Sequence, residues 1–220
     1  MSERPTITAF RWVPEFARGH VRDLRLRWAL EEVGQPYDVR LLDHQAVKAA
    51  EHRRLQPFGQ VPTYEQDGIA MFESGAILLR IARQYPGLMP SDPVGAAHAE
   101  QWVFAAMNSI EPAVSDMALV NVFEADQPWA DQRRPLSEKR MRGRLQDLSD
   151  RLGDKEWLEG EFTVADLLMA CVLHGLDGTG LLEEFPNLAA YVARARSRPA
   201  FQRALAAHMA DFSDQPPIAA

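Results

Sequence analysis

One cysteine, Cys171, is all that the 220-residue chain contains, so no internal disulfide can form. A reducing, cytoplasmic setting is the default for such a composition. No run of eighteen or more apolar residues occurs, which leaves no candidate membrane-spanning helix. The N-terminal stretch from Met1 to Pro5 has no apolar signal region behind it, because Arg11, Glu15, Arg18 and Arg22 interrupt the adjoining residues. An excess of positive charge is missing too. Lys and Arg number 24 against 31 Asp and Glu, a net charge of −7. That balance argues against a nucleic-acid binder held by phosphate neutralisation. No internal repeat is visible. A local absence matters as much: between Phe10 and Leu24 there is no Tyr, Ser, Thr or Cys.

The residues present suffice for a packed core. Hydrophobic residues make up 46% of the chain, and its length fits one large domain or two small ones. Residues 1–90 carry 12 basic and 11 acidic residues, which leaves 24 − 12 = 12 basic and 31 − 11 = 20 acidic residues for the remainder. The asymmetry supports two domains with different tasks. Thr6 to Trp12 alternates as a strand, with a loop over Val13–Gly19 after it. Val21 to Val33 reads as a helix buried on Leu24, Trp28, Leu30 and Val33, and closed by Gly34 and Pro36. Its arginines Arg22, Arg25 and Arg27 read as a solvated face. Tyr37 to Leu42 is a second strand and Ala46 to Leu55 a short helix. A parallel βαβ start and a later antiparallel hairpin predict a mixed four-stranded sheet with helices on its faces.

Beyond the Pro/Gly-rich stretch Pro86–Pro93 there is no further alternating strand. Ala96 to Val122 is helical and divided at Pro112. Phe123 to Pro135 reads as a loop, Leu136 to Leu152 as a helix. Thr163 and Asp166 form a capping box ahead of an apolar helix that carries Cys171 as a small core residue. Helices over Leu188–Arg196 and Ala200–Met209 complete the domain. The tail Ser213–Pro217 reads as frayed.

Leu55 to Ala82 holds the chemistry. Gln56–Gln60 is a loop, Val61–Tyr64 an extended segment, Gln66-Asp67-Gly68 a hairpin turn and Ile69–Phe72 the return strand. A helix then opens at Glu73-Ser74-Gly75 with Ile77, Leu78, Ile81, Ala82 and Tyr85 on its apolar face. Val61, held extended by Pro62, offers its N–H and C=O to a ligand backbone as an added strand. Ser74 at the helix start offers a hydroxyl and amides to a carboxylate. Glu73 beside it can take an ammonium group. Together they describe a place for an α-amino acid end. An ordinary hairpin with a capped helix accounts for the same residues.

Five stretches in order resemble the glutathione S-transferase family of the cytosolic type. They are Gln56–Pro62, Phe72–Ile77, Trp28–Tyr37, Phe162–Asp166 and Arg198–Phe201. The resemblance implies an α/β thioredoxin-like N-terminal domain with a mixed four-stranded sheet over residues 1–86. A linker over 87–94 and an all-α helical C-terminal domain over 95–220 would complete the chain. It implies glutathione as co-substrate with no metal, a small, largely apolar electrophile as second partner, and a homodimer that binds neither nucleic acid nor membrane. Pro62 would be cis and present Val61 to the cysteinyl part of glutathione. Ser74 and Glu73 would hold the γ-glutamyl end. Gln60 and the pair Arg53-Arg54 are the candidates for the glycine carboxylate. Trp102, Phe104, Met107 and Met117 are candidates to line the electrophile pocket. The thiolate, the nucleophilic form, would attack an electrophilic carbon. This chain departs from the family where the sulfur's Tyr, Ser or Cys donor is usual. His20 and Arg22 are the candidates for that task, with backbone amides at the helix start. The implied activity is conjugation. Isomerisation, dehalogenation, peroxide reduction or a non-enzymatic binding role on the same fold stand as alternatives.

Overall fold

The computed structural model describes residues 3–214. Met1 and Ser2 lie outside the described residues, as do Gln215, Pro216 and Pro217 of the tail expected to fray. The backbone divides into two compact units, residues up to Leu88 with those from Arg198 onward, and Met89–Ser197.

The first unit runs β1 (Thr6–Phe10), α1 (Asp23–Glu32), β2 (Asp38–Leu42), α2 (Ala50–Arg53), β3 (Thr63–Gln66), β4 (Ile69–Phe72) and α3 (Ser74–Gln84). The strands form one sheet in the order β2-β1-β3-β4. β1 pairs parallel with β2, Thr6 opposite Asp38 through Phe10 opposite Leu42, and antiparallel with β3. β3 and β4 are antiparallel neighbours with Gln66 opposite Ile69. Asp67 and Gly68 turn that hairpin with φ of 51° and 76°, the paired positive values a tight hairpin needs. The helix read as Val21–Val33 starts at Asp23, and the one read as Ala46–Leu55 is a 3₁₀ turn at Ala46–Lys48 followed by α2.

The core lies between sheet and helices. Ile7, Tyr64, Trp28, Leu30, Ile77, Leu78 and Ile81 are wholly buried. The α3 face expected at Ile77, Leu78, Ile81 and Ala82 is the buried one. Each such aliphatic contributes about 1.5–3 kcal/mol relative to an exposed one.

The second unit is helical: α4 (Pro93–Ala105), α5 (Glu111–Ala118), α6 (Ala130–Leu152), α7 (Val164–Leu173) and α8 (Pro186–Arg196). The division expected at Pro112 falls there. A wide π turn over Ala106–Ile110 ends α4, and Pro112 lies in the first turn of α5, where a missing N–H leaves no helical bond unmade. The loop expected over Phe123–Pro135 is shorter, because α6 begins at Ala130 and contains Pro135. Side chains hold that irregular turn: Arg134 donates to Asp131 Oδ1 at 2.7 Å and to Asn121 Oδ1 at 2.8 Å, and Arg133 pairs with Asp116. Asp166 accepts from the amides of Thr163 at 2.9 Å and Leu158 at 3.0 Å, which completes the cap of α7.

The last helix, α9 (Pro199–Ala210), belongs to the first unit. Phe201 meets Trp28 edge to face at 4.8 Å. Arg198 binds Glu32 through two bonds of 2.6 and 2.8 Å, and Arg203 Nε donates to Glu31 at 2.7 Å. With α3 and α9 both packed on it, α1 has no wet side: every residue from Asp23 to Leu30 is buried.

Candidate functional site

A cleft of about 310 Å³ opens in the first unit beside the end of β1, and His20, Val21, Arg22, His44, Val47, Lys48, Gln60 and Val61 are among its lining residues. It therefore gathers four of the seven residues singled out from the sequence, namely His20, Arg22, Gln60 and Val61. His20 and Arg22 are exposed and immediately precede α1. Pro62 is buried behind Val61, and the Val61–Pro62 peptide is cis. Val61 lies two residues ahead of β3, outside the ladder that begins at Thr63. Glu73 and Ser74 do not line the cleft but stand at the head of α3.

The loop that carries Gln60 is fixed by residues before it. Lys48 Nζ donates to the Gly59 carbonyl at 2.8 Å, and the buried His52 donates from Nε2 to the Gln60 carbonyl at 2.7 Å. Gln56, also buried, accepts from the Phe58 amide at 2.6 Å through its side-chain oxygen. Gly59 has φ of 61°, and a Cβ there would stand 2.8 Å from the Val47 carbonyl oxygen, so only glycine fits without displacement. Thr63 joins the sheet through its amide, 2.7 Å from Thr8 Oγ1. Arg53 and Arg54 are exposed and do not line the cleft.

The head of α3 shows two further features. Glu73 adopts φ of 70° and ψ of 109°, a conformation that costs a non-glycine residue of the order of 1–3 kcal/mol. Such outliers cluster at ligand-holding positions. Ser74, 4% exposed, accepts a hydrogen bond at 3.1 Å from Nη1 of Arg25, which is itself 7% exposed. The solvated face expected for the arginines of α1 is therefore corrected. Arg25 and Arg27 are buried between α3 and α9, and only Arg22 stays in solvent. Burial alone would lower the pKa of Arg27, but Asp23 and Asp211 outweigh it and hold the guanidinium above its ordinary value.

Three residues to which the sequence reading gave no part in the site stand at it. His44 and Lys48 line the cleft, and Arg25 supports Ser74. Asp43-His44 gave a faint signal as an Asx turn: Asp43 Oδ1 accepts from the amides of Gln45 and Ala46 at 2.9 and 2.7 Å. His44 packs on Phe10 with ring centroids 4.7 Å apart.

Among the described residues that line the cleft there is no Asp or Glu, and no Tyr, Ser, Thr or Cys. Arg22 and Lys48 give it positive charge, and two histidines add donors. The cleft suits an anionic ligand. Tyr64, the tyrosine nearest Val61 in sequence, is wholly buried and donates to Gln66 Oε1 at 2.5 Å. Burial pushes its pKa up to about 12 and keeps the phenol neutral; its hydroxyl is committed to Gln66 and does not line the cleft. No group of three or more metal-ligating side chains occurs among the described residues.

A mixed four-stranded sheet in the order β2-β1-β3-β4, followed in the chain by a helical unit, defines a thioredoxin-like domain joined to a helical one. Two family profiles match in that order: the N-terminal domain of glutathione S-transferases over residues 16–83 and the C-terminal domain over residues 127–194. A glutathione S-transferase of Hyoscyamus muticus is 29% identical over 174 residues, 72% of this chain and 82% of its own length. A glutathione transferase of Burkholderia graminis, solved with two glutathione molecules bound per subunit, superposes with a TM-score of 0.82 at 27% identity and covers 92% of this chain and 88% of its own. A glutathione S-transferase of Xylella fastidiosa shares the fold at a TM-score of 0.79 and 22% identity, covering 93% of this chain and 98% of its own. The chain belongs to the cytosolic glutathione S-transferase family, and by that membership it is a glutathione transferase.

Proposed function

We propose that this protein conjugates the thiolate of glutathione to small, largely apolar electrophiles. The observation that carries the reading is the cationic cleft that holds Val61 free of the ladder beside Arg22 and His20. The glutathione backbone pairs with Val61 as an added strand. Its γ-glutamyl carboxylate lies at Ser74 and the head of α3, backed by Arg25, and its ammonium meets Glu73. Gln60, His44 and Lys48 take the glycine end. The sulfur lies at the head of α1, where Arg22, His20 and the positive end of the helix stabilise the thiolate. In this arrangement a guanidinium does the work that a hydroxyl donor does elsewhere. The reaction so written requires no metal.

The thiolate then displaces a leaving group or adds to an activated carbon, and the catalytic gain comes from a nucleophile already ionised at neutral pH. A homodimer and a cytoplasmic setting belong to the same reading. The exposed ring pair Phe58–Phe72, with centroids 6.1 Å apart, is the apolar surface that a second copy would cover.

Steady-state conjugation of a chloronitrobenzene, paired with calorimetric titration of glutathione, tests this. Arg22→Met should lower kcat/KM by about tenfold to a hundredfold, below the roughly 10²–10³ that losing one preorganised donor costs, because Arg22 is exposed to solvent. His20→Phe should lower it less. Glutathione bound without conjugation above background would refute the transferase and leave isomerisation, dehalogenation or peroxide reduction by the same thiolate. A specific observation favours testing those too: no hydroxyl or thiol side chain lines the described cleft. Absence of glutathione binding would leave a non-enzymatic role on this fold.

A further inference from the structure

Val21 and Arg22, just ahead of α1, line the cleft, and the first turn of α1 is gripped by α9 through Asp23. The Asp23 carboxylate is wholly buried. Its Oδ2 accepts from Arg27 Nε at 2.8 Å and lies 3.0 Å from Nδ1 of His208, a residue of α9 that is 1% exposed. An ionised carboxylate only accepts, so His208 donates from Nδ1. Arg27 Nη2 donates in turn to Asp211 Oδ2 at 2.6 Å. Four side chains thus form one chain across two helices, Asp211–Arg27–Asp23–His208. Just beyond α9, Ser213 donates its amide to the Arg11 carbonyl at 2.9 Å and accepts from Arg18 Nη2 at 3.1 Å. The segment from His208 to Ser213 therefore holds both the start of α1 and the stretch that delivers His20 to the cleft.

This chain of side chains has an electrostatic consequence. A carboxylate in the first turn of a helix opposes any second anion placed there. Asp23 is that carboxylate, and the sulfur of bound glutathione is the second anion. Arg27 neutralises Asp23 in part. His208 supplies the second donor to Oδ2 and holds the carboxylate on the α9 side, away from the cleft.

We propose that His208 is a positioning residue for the thiol end of the cleft: through Asp23 it fixes the first turn of α1 and directs the Asp23 charge away from the bound sulfur. The inference rests on the reading of this cleft as the glutathione site. His208 does not line the cleft, so its effect passes through its neighbours: Asp23 by the hydrogen bond, and Phe212, whose ring meets the imidazole edge to face at 4.9 Å.

The test uses the full chain with His208→Leu and His208→Gln. One readout is the ultraviolet absorbance of the bound glutathione thiolate across a pH titration. The other is calorimetric affinity for S-methylglutathione, which has no thiol. His208→Leu should raise the pKa of the bound thiol by about half to one unit, which lowers the thiolate fraction below that pKa about threefold to tenfold. Affinity for S-methylglutathione should stay within about twofold, since no contact to the ligand is removed. His208→Gln, whose amide can donate to Asp23, should restore the titration. An unchanged titration in His208→Leu would overturn the inference alone. So would a parallel fall in both readouts, the mark of general loosening. Failure of the unmodified protein to bind S-methylglutathione would overturn the cleft reading and the inference with it. If His208→Leu does not fold, Asp211→Asn decides. It removes one negative charge from the chain and leaves Arg27 to Asp23, so the thiol pKa should fall. A rise or no change would overturn the inference.

Discussion

Arg25 and Ser74 offer the sharpest test of how the γ-glutamyl end is held. The two side chains are 7% and 4% exposed and joined by a 3.1 Å hydrogen bond, so their interaction is little screened by water. A hydrogen bond that involves a charged group is worth about 1.5–3 kcal/mol net. Ser74→Ala removes the hydroxyl that would meet the ligand carboxylate, together with the point at which Arg25 is anchored. Glutathione affinity should fall by about 1.5–3 kcal/mol, roughly tenfold to 150-fold in Kd. Arg25→Met should act in the same direction by withdrawing positive charge from the head of α3. If both act on one carboxylate, the double variant loses less than the sum, with a coupling of about 0.5–3 kcal/mol. Calorimetry on the four proteins gives the cycle, and urea unfolding of the same set gives stability. The unfolding free energy should itself fall by about 1.5–3 kcal/mol for Ser74→Ala, since a bond from a buried guanidinium is lost. Strict additivity, or a Ser74→Ala effect on Kd below about twofold, would refute a shared carboxylate. A stability loss with glutathione affinity left within about twofold would reassign the pair to scaffolding alone.

Asp166→Ala should destabilise the protein by about 3–5 kcal/mol in urea unfolding, well above the ~1 kcal/mol of a simple cap. The reason is that the buried amides of Leu158 and Thr163, at 3.0 and 2.9 Å, lose their acceptor, and the Tyr191 hydroxyl keeps only the Asp166 carbonyl at 3.3 Å in place of the carboxylate at 3.1 Å. Burial also pushes the Asp166 pKa above its ordinary 3.8. The folded state then holds this proton more tightly than the unfolded state. The contribution is complete below pH 3.8 and is lost as pH rises through the higher folded value, and Asp166→Asn should erase that slope from the stability profile. Gly59→Ala should cost about 1–3 kcal/mol, because φ of 61° is strained for alanine and its Cβ would meet the Val47 carbonyl at 2.8 Å. Glutathione affinity should fall with it, since Gly59 sets the loop that presents Gln60 and Val61.

Most elements were legible because they rest on local chemistry; of the two proposed anchors, Val61 lines the cleft while Ser74 stands at the head of α3 outside it. Asp67-Gly68 specifies its hairpin, Thr163 and Asp166 specify their cap, and apolar spacing specifies the buried face of α3. Boundaries failed where side chains distant in sequence override local signals. Pro135 marks a loop by composition, yet Asn121 and Asp116, from elsewhere in the chain, hold Arg134 and Arg133 and let α6 begin before it. His44 and Lys48 lie in a turn with no distinctive pattern, and only folding brings them beside Gln60 and Val61.

The arginines of α1 show the same limit at the functional end. Three arginines within six residues read as a solvated face, because a helix that packs on a sheet has one side left for water. That inference assumes a single partner. Here α9 returns from the far end of the chain and covers the other side, supplying Asp211 for Arg27, while Ser74 on α3 receives Arg25. Buried guanidinium groups need such partners, and none of them is within reach in sequence except Asp23. Local sequence pattern thus marks the elements, whereas the charge behind the head of α3 and the geometry at the head of α1 arise from contacts more than forty residues apart, 49 for Arg25 with Ser74 and 185 for His208 with Asp23. On the proposed reading, thiol activation in this chain is accordingly a tertiary property. It should respond to substitutions on α9 that leave every residue of the cleft unchanged.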